Sequence, residues 1–156
     1  MASPLTLLMP VIPGTNLQQM AQTLAQYQPQ LSAALKSIGT VHYARTLLLD
    51  ASQPNLQVGP SSKPTDSYVL AIITEYDGSF EDYIGDFVSQ VGTVFDALLQ
   101  FVVGGPAIIP VANNVDAFEA YITANDASQA AGAAPMFQAY INTVQQLFAL
   151  GAKAPS

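Results

Sequence analysis

Apolar positions recur along this chain with two spacings, and each change of spacing marks an element. Leu5 to Ile12 (LTLLMPVI) is a short run rich in Leu and β-branched residues, closed by Pro13-Gly14. It is too short for a free-standing helix and predicts a strand, with Pro10 at an edge or bulge. Thr15 and Gln18 have capping-box spacing, which starts a helix at Asn16. Leu17, Met20, Ala21 and Leu24 follow helical spacing. Pro29 predicts a kink or restart, and Leu31, Ala34, Leu35 and Ile38 carry the stripe on to a C-cap at Gly39.

Two facing segments follow, Thr40 to Asp50 (TVHYARTLLLD) and Ser67 to Asp77 (SYVLAIITEYD), joined by a polar stretch. Both are apolar on both of their period-two faces. An antiparallel hairpin usually leaves one face wet, so each side of this pair needs a cover. Ser79 and Asp82 cap a second helix, whose stripe from Phe80 to Leu99 ends at Gly104-Gly105-Pro106. Ala117 to Thr123 (AFEAYIT) alternates and predicts a fourth strand. Pro135 suits the first turn of a last helix with Phe137, Tyr140, Ile141, Val144, Leu147 and Phe148 on one stripe, ending at Gly151.

Strand, helix, strand, strand, helix, strand is the ferredoxin-like βαββαβ order. The expected class is therefore α+β: a four-stranded antiparallel sheet with both helices on one face and an extra C-terminal helix. The chain reads as one domain over residues 1–156, with a core of about 5–125 and the last helix over about 135–150. The second sheet face is then bare, most simply covered by the sheet of another copy.

Composition strengthens that expectation. Half of the 156 residues are apolar and only 10% are charged, against about 25% in soluble domains. So little charge covers a monomer poorly, which predicts a homodimer or higher homo-oligomer. Four Lys plus Arg against eleven Asp plus Glu give a net charge of −7. Such a balance repels phosphate backbones and argues against a nucleic-acid partner. Without cysteine there is no disulfide framework or thiolate chemistry. The opening MASPLTLLMPVIPG lacks a basic region and is broken by prolines, so it reads as a poor signal peptide. No apolar run is long enough for a membrane span, and the expected location is cytoplasmic.

The VHYAR strand, the TEYDGSFEDYIGDF segment and the preceding LTLLMPVIPG strand together resemble a subgroup of the dimeric α/β-barrel superfamily. That subgroup carries a His-aromatic-Ala-Arg strand and an aromatic-Asp-Gly turn, and the resemblance covers roughly residues 5–125. It implies two ferredoxin-like sheets packed face to face around a cavity. The superfamily includes cofactor-independent monooxygenases, polyketide cyclases, lactone isomerases, haem-degrading enzymes, chlorite dismutases and, more distantly, dye-decolorising peroxidases. The peroxidases' Gly-x-x-Asp-Gly motif has a partial echo in Thr74 to Gly78, but Thr74 replaces the leading glycine and no histidine follows His42.

Candidate chemistry concentrates on the two facing segments. A symmetric hairpin places His42 across from Glu75, a pair able to act as general base and orienter. Arg45 then lies on the other face with Tyr43, as a clamp for an anion or enolate. Which group serves depends on which face lines the cavity. Catalytic candidates are His42, Glu75 and Arg45, and substrate contacts are Tyr43, Tyr76 and Asp77. The plainer readings are a satisfied cross-strand pair for His42 and an ordinary Asp-Gly turn for Asp77. One histidine with scattered carboxylates offers no metal site. The expected function is acid–base chemistry on a hydrophobic small molecule without a tightly bound cofactor. The alternatives are a non-catalytic homodimer that binds an apolar ligand or simply assembles, and a haem protein using His42.

Overall fold

The computed structural model describes residues 2–59, 67–129 and 142–151. Strand β1 (Ala2–Pro10) leads into helix α1 (Leu17–Ile38), then β2 (Val41–Asp50), β3 (Tyr68–Asp77) and helix α2 (Phe80–Leu99). Two short 3-10 turns, Gly105–Ala107 and Val111–Asn113, precede helix α3 (Val115–Asn125). A further 3-10 turn, Ala127–Gln129, follows it, and a short helix α4 (Val144–Ala149) lies beyond. The fold is a mixed α+β arrangement around a three-stranded antiparallel sheet of order β1-β3-β2. β3 sits between β1 and β2, so the β1-α1-β2 unit is split by an inserted strand, consistent with the ferredoxin-like pattern.

Register sorts the faces. Leu5, Leu7 and Met9 of β1 lie opposite Thr74, Ile72 and Leu70 of β3, and these in turn face Ala44, Thr46 and Leu48 of β2 across the other ladder, with Ala44 opposite Thr74. This face meets α1, α2 and α3 in one core that includes Met20, Ile84, Phe87, Leu98, Phe118 and Ile122. The opposite face carries Leu8, Leu47, Val69 and Ile73, all half-buried, around a fully buried Ala71.

Helix α1 is capped by the Asn16 side chain, which accepts from the Gln19 N–H. Thr15, expected to take part in the cap, donates its hydroxyl to the Ile12 carbonyl. The helix runs through Pro29 without a restart. It ends at Gly39, whose φ of 66° is left-handed. Ser79 caps α2 as expected, accepting from the Asp82 N–H. α2 does break once, at Val91 (φ −136°, ψ 25°). There the next glycine, Gly92, brings the helix against Val111, and Asp96 accepts the Val111 N–H at 2.8 Å.

The expected fourth strand is a correction: Ala117 to Thr123 lies inside α3. Its apolar residues satisfy both periods. Phe118 and Ile122 are both buried to 1% exposure or less while Ala120 between them is exposed, which fits a helical stripe and breaks the alternation of a strand. The β1 edge is covered by other means. Asp126 forms a single bridge with Leu7 and takes the Thr6 N–H on its carboxylate at 2.9 Å, while the Ser128 hydroxyl donates to the Pro4 carbonyl. Capping bonds thus replace a ladder along part of the edge. Of the expected last helix, Val144–Ala149 is observed, with a Thr143–Gln146 capping box. Pro135, Phe137, Tyr140 and Ile141 lie outside the described residues.

A chain of rings crosses the core. Tyr76 stacks on Tyr83 with centroids 4.0 Å apart, and contacts continue through Phe87 and Phe95 to Phe118. Burial pushes the Tyr83 phenol above its ordinary value, and a hydrogen bond with Thr74 opposes this. Below about pH 10 the phenol is protonated in both folded and unfolded chains. Above that, the unfolded chain loses the proton while the folded one keeps it, so stability falls as pH rises. Thermal unfolding followed from pH 8 to 11 is expected to show this loss, with a shallower slope in Tyr83→Phe. An identical slope in the variant would remove Tyr83 as its source.

Candidate functional site

The site forms where β2 begins and β3 ends. From Asp50↔Tyr68 to Tyr43↔Glu75 the ladder is regular, but it shifts between Tyr43 and Val41, which pairs with Tyr76. His42 is the extra residue of this bulge and has no opposite number. The expected His42–Glu75 pairing is therefore corrected by one residue. His42 turns instead to Asp77, with Nε2 at 3.2 Å from Oδ1 and the two side chains 12% and 11% exposed. Neither atom has a well-directed hydrogen bond, so the contact is one of proximity.

The other Asp77 oxygen is firmly held. Oδ2 accepts the Val144 N–H at 2.8 Å, and the Asp77 N–H donates to the Thr40 carbonyl at 2.8 Å. A carboxylate at the first turn of α4 is stabilised by free N–H groups there. Gln145 completes the junction by donating its Nε2 to the Gly39 carbonyl at 2.8 Å. Gly39 is required twice here. Its φ is positive, and a Cβ would sit 2.8 Å from the Gln145 amide nitrogen. One acidic side chain thus ties together the end of β3, the start of α4 and the imidazole.

His42 also lines a pocket of about 230 Å³ between α1, β2 and α4, with Leu35, Lys36, Val41, Val144 and Phe148 among its walls. Ser32, Leu35 and Ala44 are shared with an adjoining groove of about 470 Å³ that follows α1 along β2. The groove lies within the roughly 300–1,000 Å³ of small-molecule sites, and the His42 pocket extends it.

The other expected site residues divide between two faces. Tyr43 lines the pocket wall and donates its hydroxyl to Glu75 Oε1 at 3.2 Å. Partial desolvation, then the Glu75 charge and hydrogen bond, raise the Tyr43 phenol, while Arg45 pulls it down. Arg45 is exposed opposite Ile73, on the sheet face away from the helices. Glu75 and Arg45 therefore belong with each other and not with His42. Tyr76 is buried in the ring stack, its phenol raised chiefly by burial. Among the described residues, no three His, Asp or Glu side chains gather as metal ligands, and no helix is long and apolar enough to cross a membrane. Lys36, Ser32 and Val144 were not sequence candidates. Only the Thr143–Gln146 capping spacing hinted that a helix starts near Val144.

Comparison with known families, curated proteins and solved structures gives no significant match, so the reading of this site rests on its geometry.

Asp77→Ala leaves the Val144 N–H without its acceptor and His42 without its partner. It is expected to cost about 1–3 kcal/mol, read by thermal unfolding, and to speed amide exchange in α4. Asp77→Asn keeps an acceptor for Val144 and should retain most of that stability. Equal losses in both would show that charge, not the Val144 bond, holds the junction.

Proposed function

We propose that this chain is a small-molecule enzyme of the general acid–base type, with His42 as base and Asp77 as its orienter. The observation that supports this reading is the single histidine on the wall of an apolar pocket with a partly buried carboxylate behind its Nε2. A carboxylate at Nε2 favours the tautomer protonated there, leaving the Nδ1 lone pair to accept a substrate proton. Hydrogen bonds of catalytic pairs are often poorly aligned before substrate is bound, and closure of the pocket would draw this one into line. The chemistry needs no tightly bound cofactor. Glu75 and Arg45 have no part in it, because their face is the other one.

A second reading, compatible with the first, is that the sheet face away from the helices pairs with its copy in a homodimer. Leu8, Leu47, Val69 and Ile73 make a continuous apolar patch on the side of the sheet away from α1, α2 and α3. A two-fold contact would bury it against itself, sheet on sheet. Glu75 and Arg45 would lie at its margin, where opposite charges can set orientation.

Both readings are directly testable. 5-Nitrobenzisoxazole, an apolar probe opened by proton abstraction, is expected to react faster with the protein than with His42→Ala by about 100-fold or more. An unchanged rate in His42→Ala would sink the base assignment. Ile73→Asp, which puts a charge into the patch, is expected to convert a dimer to monomer in light scattering. A wild-type monomer would end the dimer reading.

A further inference from the structure

We propose that the groove between α1 and β2 takes an amphipathic monocarboxylate, its tail along α1 and its head at Lys36 and Ser32, where the groove meets the His42 pocket. The proposal deepens the reading of the His42 pocket as a ligand site and rests on it. The groove exists because β2 presents small side chains, Ala44 and Thr46, where it passes beneath Leu24, Leu31 and Leu35 of α1. From Leu24 to Lys36 the helix rises about 18 Å, the length of a long alkyl tail. Along that length the walls are largely leucine and alanine, with Gln28 and Thr46 as polar side chains on the way and Ser32 and Lys36 toward the C-terminal end of α1.

Charge identifies the head group. The protein carries −7 overall, and among the described residues Lys36 and Arg45 are the only permanently positive side chains. Arg45 is on the far sheet face, whereas Lys36 lines the pocket beside His42. Lys36 has no acidic partner among the described residues. Its place in the last turn of α1 suits the helix dipole, yet that leaves its ammonium donors unspent. Ser32, one turn earlier, adds a hydroxyl. The nearby negative charge of Asp77 is turned to His42 and Val144, so the donors left to meet an anion at this end are the Lys36 ammonium and the Ser32 hydroxyl. An alkylammonium would meet Lys36, and a neutral alcohol would leave it unpaired.

Calorimetric titration of the folded chain with dodecanoate, dodecanol and dodecylammonium, each below its micellar concentration, tests the assignment. Dodecanoate is expected to bind at least about ten-fold tighter than dodecanol, the worth of one charge-assisted hydrogen bond. Each methylene from octanoate upward should tighten binding by about four-fold until the tail outgrows the groove. Lys36→Glu, at an exposed position that leaves folding intact, should weaken dodecanoate by about ten-fold or more and leave dodecanol within about two-fold. Dodecanol binding as tightly as dodecanoate, or a Lys36→Glu variant that keeps full dodecanoate affinity, would overturn the carboxylate assignment without touching the His42 base, which the elimination probe reads separately. No binding of any of the three to the folded wild type would overturn the groove as a ligand site.

Discussion

Every ladder of the sheet includes β3. Among the described residues it is the one strand with a neighbour on each side, so its pairing with β1 sets one half of the core and its pairing with β2 sets the other. A slip of one residue in either ladder would exchange the helix-facing and opposite faces of an outer strand. That outcome is blocked on the helix side, where Leu70, Ile72, Thr74 and Tyr76 alternate with residues suited to the other face. Thr74 adds a polar lock, its hydroxyl donating to the Tyr43 carbonyl at 2.8 Å from a position 2% exposed. The bulge at His42 is the point where that lock ends. Beyond Tyr43 the strand is free to kink, and the kink delivers the imidazole to the last residue of β3.

Much of this was legible in the residues. The helix cap at Ser79, the glycine stop at Gly39 and the pairing of two apolar segments all follow from local chemistry, whereas the first cap falls on Asn16, one residue beyond the Thr15 that the capping spacing pointed to. The site was half legible. Its histidine and its aspartate both stood out as polar residues in apolar strands, but their partnership did not. A symmetric hairpin pairs His42 with Glu75, and only a bulge, which no side chain of the VHYAR segment announces, moves it to Asp77. The residues that make the pocket a pocket, Lys36 on α1 and Val144 on α4, are distant in sequence and joined to β2 only through tertiary packing.

The fourth strand failed for a different reason. AFEAYIT is seven residues long, and over so short a span the apolar positions Phe118, Tyr121 and Ile122 fit a helical stripe as well as Phe118 and other members fit alternation. What decides is the site it must fill. The aromatic chain from Tyr76 to Phe95 leaves room for one more ring, and Phe118 occupies it, with Ile122 a turn later beside β1. A strand would have sent the same side chains to the edge of the sheet.

Edge treatment also explains where the open space lies. On the β1 side, Asp126 and Ser128 satisfy backbone groups directly and α3 packs closely over the core. On the β2 side, the ladder is supplemented only near its end, by the Leu49↔Gln57 bridge among the described residues. The helix-facing residues there are small. An apolar cavity of about 50 Å³ remains between α1, α2 and the sheet, bordered by Ala44 and Thr46 and by Leu24 and Leu31. At about 24 cal/mol per Å³, a void of that size costs on the order of 1 kcal/mol. A leucine or isoleucine at position 44 or 46 would fill much of it. Both α1 and β2 are otherwise rich in such residues, so the shortage of volume is local to the seam, and it adjoins the one pocket wall that carries a histidine and an unpaired lysine. The underpacking and the site therefore belong to the same feature: a helix held slightly off an edge strand, with its polar end at the bulge.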